Sequence, residues 1–108
     1  MGMKKDTKTG KTSEIREEIF IDEPAIVPIL FHEQKSLILR LLIENEFTII
    51  DLKNKTGLNP GTIKRHLNDL LKYKLIFISR TEINEFSVVM KYYRASARKY
   101  TCQISWPK

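Results

Sequence analysis

The sequence predicts an α+β domain, mainly α: a three-helix core plus a β-hairpin, with a short extra N-terminal helix. Three observations carry this. Apolar residues recur at helical spacing through residues 32–71 and then give way to two strand-forming runs. Gly57 divides two helical segments as a tight turn. Asn59-Pro60 supplies a capping amide followed by a residue pre-set for a first helical turn.

Residues 1–18 are polar, rich in Lys and Thr, and carry too little apolar surface to offset ordering entropy, so they are expected to form a disordered arm. Apolar character begins at Ile19, and residues 19–96 are expected to form the folded domain. Asp22 and Pro24 have the chemistry of a helix start, and the short helix through Ala25, Ile26 and Ile29 should be bent or ended by Pro28. The next helix covers His32 to Asn45, with Leu37, Ile38, Leu41 and Leu42 on its main apolar side. Leu39 and Ile43 add a second sticky side, which predicts that another surface is buried as well. Thr48 to Thr56 forms the following helix, capped by Thr48 with Asp51 in the reciprocal position.

From Asn59 the third core helix runs to Leu71 or slightly beyond, with Ile63, Leu67, Leu70 and Leu71 as one apolar stripe. Ile76-Phe77-Ile78 and Val88-Val89-Met90, the latter continued by Tyr92 and Tyr93, are the hairpin strands. Thr81, Glu82, Asn84 and Glu85 belong to its tip. Residues 97–108 form a tail, with Tyr100 and Ile104 as docking residues. Helix, turn, helix and hairpin in this order make a winged helix-turn-helix.

With 108 residues the chain has room for a single modest core, and 42% hydrophobic with 30% charged residues is a globular composition. No apolar run approaches bilayer length and no secretory leader opens the chain, which predicts a cytoplasmic protein away from membranes. Cys102 is the only cysteine, in keeping with a reducing compartment, and two histidines give no metal-ligand pattern. No cofactor motif, phosphate-cradling loop or nucleophile-base pair is present, so neither an enzyme nor a bound metal is expected.

The net charge of +6 is unevenly placed. Residues 1–58 carry nine basic and ten acidic side chains, whereas residues 59–108 carry ten basic and three acidic. Positive charge concentrated in the half that holds the third helix and the wing favours a polyanion, through release of condensed counterions. On a helical wheel with Ile63 at the origin, Arg65, Lys72, Asn68 and Gly61 fall between about 140° and 200°, opposite the stripe. Thr62, at about 260°, adds a hydroxyl to that side, Lys64 and His66 lie on the flanks, where phosphate contact is expected, and Asn59 stands at the helix start. Guanidinium, ammonium, amide and hydroxyl groups of this kind read base edges and phosphates in a major groove. Asp69 is an acid set beside them, suited at best to a cytosine amino group. Arg80, Lys91 and Arg94 are the wing residues with reach to a DNA backbone, while Glu82 and Glu85 oppose deep insertion of the tip.

The stretch from about Ile21 to Thr101 resembles the ArsR-like winged-helix transcriptional regulators, archaeal members in particular. The resemblance rests on Ile38-Leu39-Arg40-Leu41-Leu42, on Pro60-Gly61-Thr62-Ile63 with His66-Leu67, on Arg80-Thr81-Glu82, and on Lys91-Tyr92-Tyr93-Arg94-Ala95. It implies a homodimeric regulator of transcription that binds double-stranded DNA with its third helix in the major groove. Thr62, Lys64, Arg65 and Asn68 become DNA contacts on that basis. Where metal-sensing members carry cysteines this chain has Thr48-Ile49-Ile50-Asp51, and Asn84-Glu85 replaces the wing-tip glycine. The last twelve residues leave little room for a long dimerisation helix, which points to Ile26–Phe31 as the dimer contact. The alternative is a winged-helix module that binds another protein and no DNA, since this fold serves both purposes. No small-molecule effector is legible in the residues.

Overall fold

The computed structural model of the chain describes residues 15–103 and 105–107. Strand β1 (Ile19–Ile21) leads to a 3-10 turn at Pro24–Ile26 and a one-turn helix α1 (Val27–Leu30). Helices α2 (Glu33–Glu44), α3 (Ile49–Thr56) and α4 (Pro60–Lys72) follow, then strands β2 (Ile76–Ile83), β3 (Val89–Ala95) and β4 (Tyr100–Cys102). The architecture is an α+β winged helix-turn-helix, with β2 and β3 paired antiparallel as the wing.

Local chemistry explains most of the helix boundaries. His32 caps α2 through Nδ1, which accepts from the backbone of Gln34 and Lys35 at 3.2 Å. Thr48 and Asp51 form the reciprocal cap of α3, each side chain accepting from the other's backbone N–H. Gly57 ends α3 with φ 76°, a left-handed conformation that glycine adopts without steric cost. Asp22, expected to cap the first helix, does not: the 3-10 turn has Glu23 at its N-cap and no side-chain bond there.

One core unites these elements. Ile38 and Leu42 from α2, Leu52 from α3, and Ile63, Leu67 and Leu70 from α4 meet Leu75, Ile76 and Tyr93 from the wing base. The anticipated stripe of α4 is therefore the buried one, with Leu71 half-buried at its edge. In α2 one expected core residue is corrected, since Leu37 is exposed, whereas Leu39 on the second side is buried. Leu39 lies beside Leu30 of α1 and Tyr100 of β4, so flanking segments of the chain supply the second surface that covers this helix.

The wing is longer than the apolar runs indicated. Thr81 and Glu82 lie inside β2, paired with Lys91 and Met90, rather than in the tip. Asn84 makes the turn, its Oδ1 accepting from the backbone of Phe86 at 2.8 Å and of Val88 at 3.0 Å. Phe47, between α2 and α3, exchanges two backbone bonds with Tyr93 and fixes the wing base to the helices.

Both flanks of the domain join it. β4 pairs parallel with β1, and Arg16 bridges Ala97, so the chain is engaged on both sides of the expected boundaries at 18/19 and 96/97. The Tyr100 hydroxyl donates to the Leu75 carbonyl at 2.5 Å and accepts from Ser96 and Ala97, and burial pushes its pKa up to about 12. Residues 1–14 of the expected arm, and Ile104, lie outside the described residues.

Leu67 is 1% exposed in the middle of this core. Leu67→Ala should lower the unfolding free energy by about 2–5 kcal/mol in denaturant titrations. An unchanged midpoint would mean that α4 is rotated from the orientation described.

Candidate nucleic-acid interface

Helix α4 begins at Asn59, whose Oδ1 accepts from Gly61 N at 2.7 Å. A Cβ at position 61 would sit 3.1 Å from that oxygen, so the glycine is explained by the cap itself as well as by any approaching ligand. Beyond the cap, Lys64, Arg65, Asn68 and Lys72 are exposed and Thr62 is half-buried. The burial of Ile63, Leu67 and Leu70 leaves these polar groups on the outward side. Among the described residues none of the three cations is held in a salt bridge, although the Lys72 ammonium rests 5.5 Å from the centre of the Tyr73 ring.

His66 departs from its expected flank position. It is 8% exposed, with Nε2 2.8 Å from Oε1 of Gln34, and its ring stands 5.1 Å from that of His32. Its position is that of a tie between α4 and the start of α2, not of a phosphate contact. Burial, with the neighbouring His32, Lys35 and Arg65, lowers its pKa against the weaker opposing pull of Asp69. Asp69 is matched too, with its carboxylate 3.0 Å from the Lys35 ammonium. The acid set beside the cationic face is thereby neutralised from α2. Gln34 and Lys35 thus hold α4 in place, a role the sequence concealed because polar residues in a first helical turn are ordinary.

The basic residues of the wing divide between its two faces. Lys91 shares the Tyr93 side of β3, and it lines a groove together with Lys64 of α4. Arg80 and Arg94 do not join them. Arg80 Nε donates to Glu46 at 2.6 Å, Nη1 pairs with Glu82, and the guanidinium lies 3.7 Å from the centre of the Tyr92 ring. The two carboxylates hold the Arg80 pKa above its ordinary value. Burial acts to raise the pKa of Glu46, but the Ser79 hydroxyl and Arg80 outweigh it and keep the carboxyl below its usual range. Arg94 is half-buried, its Nε without a hydrogen-bond partner, and its charge adds to the field that lowers Glu46. Arg80 therefore braces the wing base to the α2–α3 connection instead of reaching outward. Glu46 was not singled out from the sequence, where an acid between two helices carries no signal.

A capped helix that buries one edge and offers cations on the other, beside a braced hairpin, defines a winged helix-turn-helix protein with an outward α4. Residues 32–76, from the cap of α2 to the first residue of the wing, match the family described as "Bacterial regulatory protein, arsR family". No curated protein sequence matches the chain. Among solved structures, the transcriptional regulator HlyU from Vibrio vulnificus CMCP6 is similar, with a TM-score of 0.52 and 21% identity over 65% of this chain and 67% of that one. At that identity the likeness bears on the fold.

Because the His66 pKa is lowered from 6.5, the unfolded chain takes up a proton that the folded chain resists. Its stabilising contribution is complete above the unfolded value and is lost as pH falls through the folded one. Melting curves between about pH 7.5 and pH 5 should show a shallower acid decline for His66→Gln than for the wild type. Parallel declines would remove His66 from the acid response.

Proposed function

We propose that this protein is a homodimeric regulator of transcription that binds double-stranded DNA, placing α4 in the major groove. The observation that carries the reading is the outward edge of α4, where Lys64, Arg65, Asn68 and Lys72 stand exposed opposite a fully buried stripe. An exposed Arg one turn into such a helix matches the acceptor pair on a guanine edge, and Asn68 matches adenine. Lys64 and Lys91 suit phosphates on either side of the groove between helix and wing. The family match over the helix-turn-helix supports the same reading. A cytoplasmic location follows from a DNA partner, and no described helix is long and apolar enough to cross a membrane.

The dimer is supported by a second feature. Phe31 is 76% exposed, and beside it Leu30, Leu39, Ile43 and Tyr100 line an apolar depression of about 230 Å³. A second copy seated there would cover Phe31, and a dimer that reads DNA with two α4 helices takes half-sites about 34 Å apart, one turn of DNA. The protein-binding alternative draws on the wing, where Ile83 and Phe86 are also exposed. Salt dependence separates the two readings. Phosphate contacts make log K fall steeply with log salt, by about 0.9 for each phosphate neutralised.

With a duplex selected from a random pool, Arg65→Ala should weaken binding by about 1–3 kcal/mol at fixed salt and relax preference at one base pair. Undiminished affinity would exclude Arg65 from the contact set. Phe31→Glu should shift the sedimentation mass from dimer to monomer and lower the melting temperature only by the concentration-dependent share that association supplies, because the side chain is exposed in the single chain. A dimer that persists would place the interface elsewhere.

A further inference from the structure

Between α3 and the wing lies a groove of about 390 Å³, within the range of roughly 300–1,000 Å³ that small-molecule sites occupy. Its walls are Ile50 from α3 and Val88 and Val89 from the wing, and Tyr93 closes it on the core side. Ile50, Val88 and Val89 are 54%, 54% and 57% exposed, an apolar surface left to water inside a concavity. The charged groups lining it are Lys64 and Lys91, both exposed and neither paired with a carboxylate among the described residues. Thr48 also contributes, but its hydroxyl is committed to the cap of α3.

We infer that this groove binds a small amphipathic anion, an apolar body with one carboxylate-like charge at its end. The apolar walls require a hydrocarbon or aromatic body to displace water, and the two ammoniums require negative charge where that body emerges. An inorganic anion would satisfy the ammoniums and leave the walls wet. A neutral hydrocarbon would do the reverse. A DNA strand meets Lys64 and Lys91 through phosphates without filling the space between Ile50 and Val89. The first fourteen residues of the chain have the wrong character as well, with four lysines and only Met1 and Met3 apolar.

Occupancy would tie up two of the cations assigned above to phosphates, so the ligand would compete with DNA. That consequence rests on the DNA-binding reading, but the ligand site itself does not.

The experiment is a titration of the full chain, labelled with nitrogen-15 and free of DNA, with octanoate, octanol or inorganic phosphate. Octanoate should saturably shift the amides of Ile50, Lys64, Val89 and Lys91, with octanol and phosphate each about tenfold weaker or more. Val89→Trp, which fills the groove from an exposed position, should weaken octanoate about tenfold while the spectrum elsewhere stays native. Lys91→Gln should weaken octanoate and leave octanol unchanged. Octanoate shifts that miss these amides, equal binding by phosphate, or full affinity in Val89→Trp would each overturn the site. A second titration with a bound duplex present should raise the apparent Kd for DNA as octanoate is added. A native chain that binds octanoate but no duplex would overturn the DNA reading and leave the groove standing.

Discussion

The burial of Ile63, Leu67 and Leu70 in α4 is the constraint on which the rest of the molecule depends. These three side chains lock the rotation of the helix about its own axis, and a helix locked on one side presents a defined set of groups on the other. Each is at most 1% exposed, so a change of rotation would expose a large apolar side chain and bury a charge. Either event costs more than any surface contact of α4 returns. The outward display of Lys64, Arg65 and Asn68 is thus a consequence of core packing. It needs no interaction of its own to maintain it.

Rotation alone does not fix where the helix starts or how it leans, and polar contacts supply those constraints. Asn59 sets the first turn, while Gln34 and Lys35 hold His66 and Asp69 from the facing end of α2. The contacts from α2 join buried or partly buried groups with specific partners, which makes them selective for one geometry. The Lys35–Asp69 pair has a second effect, since it cancels an acid that would otherwise repel a polyanion beside Arg65. On the wing, Glu46, Glu82 and Tyr92 hold Arg80 in a similar way.

The legibility of these features in the sequence followed their physical range. Caps and turns act over three or four residues, and so Thr48 with Asp51, Gly57 and Asn59-Pro60 were readable from composition alone. The α4 stripe was equally plain because its period is local. What failed was whatever depended on distant segments. The second sticky side of α2 announced that Leu39 would be covered but not that α1 and β4 would cover it, and nothing within α2 distinguished the exposed Leu37 from its buried neighbours. The parallel pairing of β1 with β4 joins segments about eighty residues apart, and three-residue strands carry no periodic signal. At the candidate interface the outward side of α4 follows from its own stripe, whereas the engagement of His66 with Gln34 and of Arg80 with Glu46, and the burial of Arg94, depend on other elements.

This division changes the meaning of the net charge. Ten basic residues in the second half of the sequence suggest a broad positive field, but the structure assigns several of them elsewhere. Arg80 is held by two carboxylates, Arg94 is half-buried near Glu46, and Arg98 faces Glu17 at 3.6 Å. Of the cations that remain, Lys64, Arg65 and Lys72 stand together on α4 with Lys91 across the groove, while Lys74 and Lys99 lie apart from them in the sequence. A few cations set on one rigid helix discriminate between ligands better than the same charge spread over a surface, because their spacing is fixed before the ligand arrives. The apolar walls beside Lys64 and Lys91 sharpen that selectivity, since they favour a ligand whose body is as complementary as its charge. On the reading proposed above, the same two ammoniums serve a phosphate backbone or an amphipathic anion but not both at once, so one groove would couple the two.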